Sequence, residues 1–234
     1  MSRVLVIGAT QGTGLALAAE YARRGAAVVI TGRSAERAQQ VATELTVETG
    51  GAVTGLALDL SDPAGIPEAL ASVDTVDRLA LVGMVRDFNT LANFNIDRAT
   101  VLATTKVVGY ATVTATLAAR LSADASLLLF GGVSKDVPYP GSTTLTAVNS
   151  AVDGLVRTLS VELAPIRVNS IHPGAIVDTP FLRENDQAKS LARSMSLASS
   201  LGTMRDIVDG CLFLLENPIA NVISLSLDGG RRSM

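Results

Sequence analysis

Val4-Leu5-Val6-Ile7-Gly8-Ala9-Thr10-Gln11-Gly12-Thr13-Gly14 decides how this chain is read. Four apolar residues without polar alternation are the pattern of a strand buried on both faces, as in a parallel sheet. The run breaks at Gly8 and passes through two further glycines into the amphipathic stretch 13–24, which has helical periodicity. Glycine at such a strand-to-helix turn permits positive φ, and glycine at the helix start lets an anionic group approach backbone N–H groups at the positive end of the helix dipole. Its position after a first strand makes G-x3-G-x-G a pyrophosphate cradle formed by Gly8, Thr10, Gln11, Gly12 and Gly14.

The same grammar repeats outward. Apolar runs at 27–31, 53–58, 79–82, 127–130, 167–171 and 222–227 complete seven candidate strands. Helical patterns fall between them at 34–49, 62–72, 97–121, 144–163 and 204–216. Strands alternating with helices of this length predict an α/β Rossmann-type fold, a doubly wound parallel sheet of about seven strands with helices on both faces. The 234 residues carry no Pro/Ser-rich or charged linker, so residues 1–234 read as a single domain. The polar, Ser-rich stretch 181–202 reads as a lid over a substrate.

Composition removes several functions. One cysteine, Cys211, and one histidine, His172, exclude a disulfide framework and a Cys/His metal centre, so no metal is expected. A net charge of −3, no tryptophan and 3% aromatic residues leave neither a basic nor a stacking surface for nucleic acid. Charged residues interrupt every long apolar stretch, and the N-terminus reads as neither a secretory nor a transit signal. The expectation is a cytoplasmic protein with no membrane or nucleic-acid partner.

After the second strand comes Ile30-Thr31-Gly32-Arg33-Ser34. An acid at this place favours NAD by binding the ribose 2′-OH, whereas a cation accommodates the 2′-phosphate of NADP. Arg33 therefore predicts NADP(H).

Over nearly its whole length the sequence resembles the short-chain dehydrogenase/reductase family. The resemblance rests on the glycine loop, Asp59-Leu60, the stretch Asn149 to Arg157 leading into Leu159-Ser160-Val161-Glu162-Leu163-Ala164-Pro165, Ile166-Arg167-Val168-Asn169, Pro173-Gly174 with Thr179-Pro180, and Leu227-Asp228-Gly229-Gly230. It implies NAD(P)(H) at the strand C-termini, with Asp59 and Leu60 at the adenine and Pro173, Gly174 and Thr179 at the nicotinamide. It also implies a homodimer or homotetramer built on the fourth and fifth helices.

The family's chemistry uses Asn, Ser, Tyr and Lys. Their positions align here with Lys106, Gly132, Leu145 and Asn149, so all four are substituted. Leucine has no dissociable proton and glycine no side-chain donor, so the usual alcohol/ketone mechanism is unavailable there. Lys106 and Tyr110 stand i,i+4 on one helix, where an ammonium lowers a phenol's pKa. Together with Tyr139 and Ser134 they are the candidate catalytic residues, while His172 and Cys211 read as structural.

Three functions stay open from sequence. The first is an NADPH-dependent reductase of a hydrophobic iminium, enone or quinone, which needs little acid catalysis. The others are a non-redox cyclase, isomerase or dehydratase, and a catalytically silent NADP(H)-binding or partner protein. Leu81, Val82, Met84 and Leu145 predict an apolar substrate pocket.

Overall fold

The computed structural model describes residues 1–198 and 200–230. Its elements run β1 (Arg3–Ile7), α1 (Gly12–Arg23), β2 (Ala27–Gly32), α2 (Ala35–Thr49), β3 (Ala52–Ala57), α3 (Ile66–Ala69), β4 (Val76–Leu81), α4 (Ile96–Ala103) and α5 (Tyr110–Leu117). They continue through β5 (Leu121–Phe130), α6 (Thr143–Glu162), β6 (Arg167–Pro173), α7 (Asp186–Ser194), α8 (Met204–Glu216) and β7 (Ser224–Leu227). The seven strands form one sheet in the order β3-β2-β1-β4-β5-β6-β7, and every pairing is parallel. The order reverses between β1 and β4, which opens the crevice at the strand C-termini where doubly wound folds bind ligands.

Residues on alternate sides of each strand build two cores. Val4, Val6 and Ile30 pack with α1, α2 and α8, while Leu5, Ile7, Leu79 and Leu81 pack with α3, α5 and α6. The central strands are therefore buried on both faces, which is why they read as continuous apolar runs. Cys211 lies in the first core, and burial pushes its thiol far above its ordinary pKa.

Three expected elements are corrected. The helix expected at 62–72 is a 3₁₀ turn over Pro63–Gly65 followed by the four-residue α3, because Pro63 and Pro67 withhold two backbone donors. The helix expected at 97–121 is not regular: α4 passes through a π-helical turn at Thr104–Gly109 before α5 begins. That turn buries Thr105, Lys106 and Gly109, and Gly109 is needed because a Cβ there would stand 2.5 Å from the carbonyl oxygen of Leu60. The last strand starts at Ser224, since Val222 has φ 58° and cannot continue it.

The helical stretch Ile96–Arg120 is long and apolar enough to cross a membrane by length and composition, yet 44% of its most apolar window is buried within the fold. Residues 181–202 contain the nine-residue α7 and rejoin the body through a bridge between Ile176 and Gly202. Residue 199 of this stretch lies outside the described residues.

Candidate functional site

The glycine loop forms a cradle open at one point. Gly8 has φ 82°, and a Cβ there would lie 2.5 Å from the Cα of Gly83, so the β1 and β4 turns touch backbone to backbone. A Cβ on Gly14 would stand 2.6 Å from the carbonyl oxygen of Gly8, which fixes α1 directly over the turn. Gly12, at φ 62°, faces open space, and no side chain caps the N-terminus of α1. Thr10 packs against Gly32, while Thr10, Gln11 and Gly12 line a groove of about 470 Å³. An open helix N-terminus beside a glycine with no neighbour suits a bound diphosphate.

The remaining expected cofactor residues surround this loop at the strand C-termini. Arg33 and Arg37 are exposed at the start of α2, and among the described residues neither has an acidic partner. Ser34 Oγ caps α2 by accepting from the Arg37 N–H at 3.2 Å. Asp59 is exposed and accepts from the Ser61 amide and hydroxyl at 2.8 and 2.7 Å, while Leu60 is buried beneath it. Pro173 ends β6, the Gly174 amide donates to Leu227 O at 2.9 Å, and the Thr179 hydroxyl donates to Ile176 O at 2.8 Å.

Behind the ends of β4 and β5, the chemistry-bearing side chains meet in a buried cluster. The π-turn aims Lys106 inward, where it is 1% exposed. Its Nζ donates to Phe130 O at 2.8 Å, Gly131 O at 3.0 Å and Asn149 Oδ1 at 2.9 Å. Three oxygen acceptors match the three donors of an ammonium, while burial acts against the charge and pushes the pKa down to about 7. The other end of the Asn149 amide, Nδ2, donates to Ser134 Oγ at 2.9 Å. Gly132 leaves room for that amide: a Cβ there would lie 2.7 Å from Asn149 Nδ2.

Tyr110 differs from expectation. Its hydroxyl donates to Gly83 O at 2.9 Å and lies 3.4 Å from Phe130 O, wholly buried. Burial raises the phenol's pKa, opposite to the lowering expected from Lys106, because desolvation dominates. Tyr139 is half-buried in the loop before α6, where its backbone N–H and C=O both bond Ser142 Oγ, at 2.9 and 2.7 Å. Leu145 is half-buried on the first turn of α6, and the neighbouring Thr144 hydroxyl is buried without a hydrogen-bond partner among the described residues. Leu81 lies in the core rather than on a pocket wall, while Met84 is exposed.

His172 is structural, as expected. Its Nδ1 accepts from the Gly132 N–H at 3.1 Å, so Nε2 carries the proton and donates to Asp153 Oδ1 at 2.9 Å. Burial lowers its pKa and keeps it neutral. Asp153 also accepts from Ser170 and Ser224 and pairs with Lys135, and these bonds hold its carboxyl below the usual range despite partial burial.

Sequence reasoning missed Asp153, Asn149 as a working group, and Arg86, whose guanidinium stacks 3.7 Å from the Phe181 ring centroid. The signal for Asn149 was available: the alignment implied by the resemblance puts Lys106 at the family's Asn position and Asn149 at its Lys position, an exchange of the two residue types.

A family model described as short chain dehydrogenase matches residues 2–190. The chain belongs to the short-chain dehydrogenase/reductase family. It is 30% identical over 96% of its length to the peroxisomal 2,4-dienoyl-CoA reductase of Rattus norvegicus, covering 82% of that protein. It is 28% identical to carbonyl reductase family member 4 of Danio rerio, covering 98% of each. Among solved structures, a short chain dehydrogenase from Burkholderia cenocepacia in complex with NADP matches at 27% identity and TM-score 0.90, covering 98% of this chain and 97% of that one. As a short-chain dehydrogenase/reductase it is an oxidoreductase by family.

Proposed function

We propose that this chain is an NADPH-dependent reductase acting on an apolar small molecule whose acceptor bond is conjugated: an enone, a quinone or an iminium. The observation that carries the reading is a complete nucleotide end beside an altered chemical end. Gly8, Gly12 and Gly14 leave backbone room at the α1 N-terminus, and Arg33, exposed at the start of α2 and without an acidic partner among the described residues, would meet the 2′-phosphate. Thr10, Gln11, Asp59, Leu60, Pro173, Gly174 and Thr179 are the other residues that would hold the cofactor. NADPH, when bound, supplies a hydride.

At the chemical end, Leu145 offers no proton where the family places tyrosine. In an enone or quinone, conjugation disperses the negative charge left by hydride addition, so hydrogen-bond donors suffice to stabilise it until water supplies the proton. An iminium cation becomes a neutral amine and needs no proton, so in neither case is a strong acid required. The similarity to a 2,4-dienoyl-CoA reductase supports a conjugated acceptor, because that relative's name describes conversion of a dienoyl to an enoyl group. Ser134, with Lys106 linked to it through Asn149, is the candidate group at the reacting end; Tyr139 is a candidate from the loop before α6, and Tyr110 serves as scaffold.

The arrangement also supports a homo-oligomer, since α4 and the π-turn expose Ile96, Val101 and Val108. Residues 181–202, tied to the β4 turn by the Arg86–Phe181 stack, act as a lid, and the chain functions in the cytoplasm as one domain.

Loss of absorbance at 340 nm, with NADPH and a panel of cyclic enones, quinones and iminium salts, tests the reading. One-to-one loss of NADPH and substrate supports it. Conversion that proceeds unchanged without nicotinamide overturns it in favour of a non-redox enzyme, and nucleotide binding without any conversion favours a silent binding protein.

A further inference from the structure

Two polar side chains near the site are buried without a full set of partners. Ser134 is 3% exposed; its oxygen accepts from Asn149, and among the described residues its own proton has no acceptor. Thr144 Oγ1 is buried with no hydrogen-bond partner among the described residues. A buried hydroxyl proton left unused costs free energy unless a ligand takes it up.

We infer that Lys106, Asn149 and Ser134 form a polarising chain that replaces the family's chemistry, with the Ser134 hydroxyl donating to the oxygen of the conjugated substrate. The inference rests on the reductase reading and names the group that meets the charge left by hydride addition. Ser134 is the catalytic residue, since it touches the substrate; Lys106 and Asn149 are positioning residues. The geometry follows from three linked substitutions. Lysine at 106 brings a cation from the far wall, where the π-turn drives it under the end of β5. Asparagine at 149 presents its carbonyl oxygen to that cation and thereby turns its amino group to Ser134. Glycine at 132 clears the space, because any side chain there displaces the Asn149 amide. Neighbouring Gly131 is equally constrained, since a Cβ on it collides with the His172 ring.

Orientation of Asn149 depends on the charge at Lys106: an ammonium can bond only to the amide oxygen, whereas a neutral amine tolerates either end. The ionisable groups around Lys106 are Tyr110 on its own helix, His172 on β6, and Asp153 and Lys135 behind His172. Tyr110 stays protonated and His172 neutral near pH 7, which leaves Lys106 as the group that titrates there.

Ser134→Ala, Lys106→Met and the pair together test the chain with the full-length protein, NADPH and a cyclic enone. Ser134→Ala is expected to lower kcat about 100-fold, in the range for losing one donor to a developing oxyanion, with NADPH affinity unchanged within about twofold. Lys106→Met should lower kcat comparably and abolish the loss of activity expected of the wild type above pH 7. The double variant should be no slower than the worse single one. Independent multiplication of the two losses, or an alkaline limb that persists in Lys106→Met, overturns the chain. Should no enone consume NADPH, the reductase reading fails, and the chain is judged by urea unfolding of the same variants. Coupling between positions 106 and 134 is then expected to change the folding equilibrium constant at least about fivefold from the product of the singles, and strict multiplicativity overturns it. Ser134→Ala removes one hydroxyl from a loop, so it keeps the test open even if Lys106→Met fails to fold.

Discussion

Replacing Lys106 by methionine should change how the stability of this protein depends on pH. Burial brings the Lys106 pKa down from 10.5 in its ordinary state to about 7 in the fold. Between those values the unfolded chain holds a proton that the folded chain has released, so stability rises with pH at about 1.4 kcal/mol per unit. Allowing for half-titration at pH 7, the gain from pH 7 to pH 9 is about 2 kcal/mol. For a chain of this size that is about 4–8 °C in Tm. Below pH 7 both states are protonated, and the contribution is flat and at its least favourable. Methionine keeps the length of the side chain and cannot titrate. Its absolute stability is a poor test, since it removes a buried charge but also takes one donor away from each of Phe130 O, Gly131 O and Asn149 Oδ1. The slope is the sound measurement, because groups elsewhere cancel in the difference. Urea unfolding of both proteins at pH 7, 8 and 9 and constant ionic strength gives it. Wild type is expected to gain on the variant by about 2 kcal/mol across this range; parallel lines would show that the buried ammonium keeps its ordinary pKa, and the reasoning from burial would fail.

Other consequences follow from single contacts. Arg33→Ala should weaken NADPH by about 10–100-fold, the worth of charge-assisted bonds to phosphate, and leave NADH nearly unchanged; isothermal titration with both nucleotides decides, and equal weakening refutes the assignment. Val222→Gly should stabilise the fold by about 1 kcal/mol, since a β-branched residue at φ 58° costs more than the added freedom of glycine in the unfolded chain, and a lower Tm contradicts this. Asp153→Asn should destabilise at pH 7 by about 3 kcal/mol through loss of the bonds shared with His172, Ser170, Ser224 and Lys135. Because the fold lowers the Asp153 pKa, its contribution is present above the ordinary carboxylate pKa and lost as pH falls through the lowered value. The gap between wild type and variant should therefore close in acid, and a gap that persists there would contradict the role of the charge.

The architecture was legible because central parallel strands, buried on both faces, leave a clear trace: Val4–Ile7 and Leu127–Phe130 are apolar throughout and each stops at a glycine. Helix 97–121 was less legible, since apolar spacing tolerates one inserted residue and the π-turn at Thr104–Gly109 leaves the pattern almost intact. That turn governs the site, because it determines where Lys106 points. The shape of the glycine loop could be read since glycines act locally, near the residues that precede and follow them. The chemical end could not, because Lys106, Asn149 and Ser134 come from three elements and meet only in the fold. Tyr110 misled for a related reason: helical spacing placed it near Lys106, but the balance between a neighbouring charge and desolvation depends on burial.

The central claim is that the retained nucleotide end still delivers hydride to a substrate although the usual proton donor is gone. NADPH carrying deuterium at the transferred C4 position, incubated with the protein and a cyclic enone, tests it by mass spectrometry of the product. One deuterium per product molecule, matched by one NADPH oxidised, is the predicted result; product formed without deuterium would contradict it.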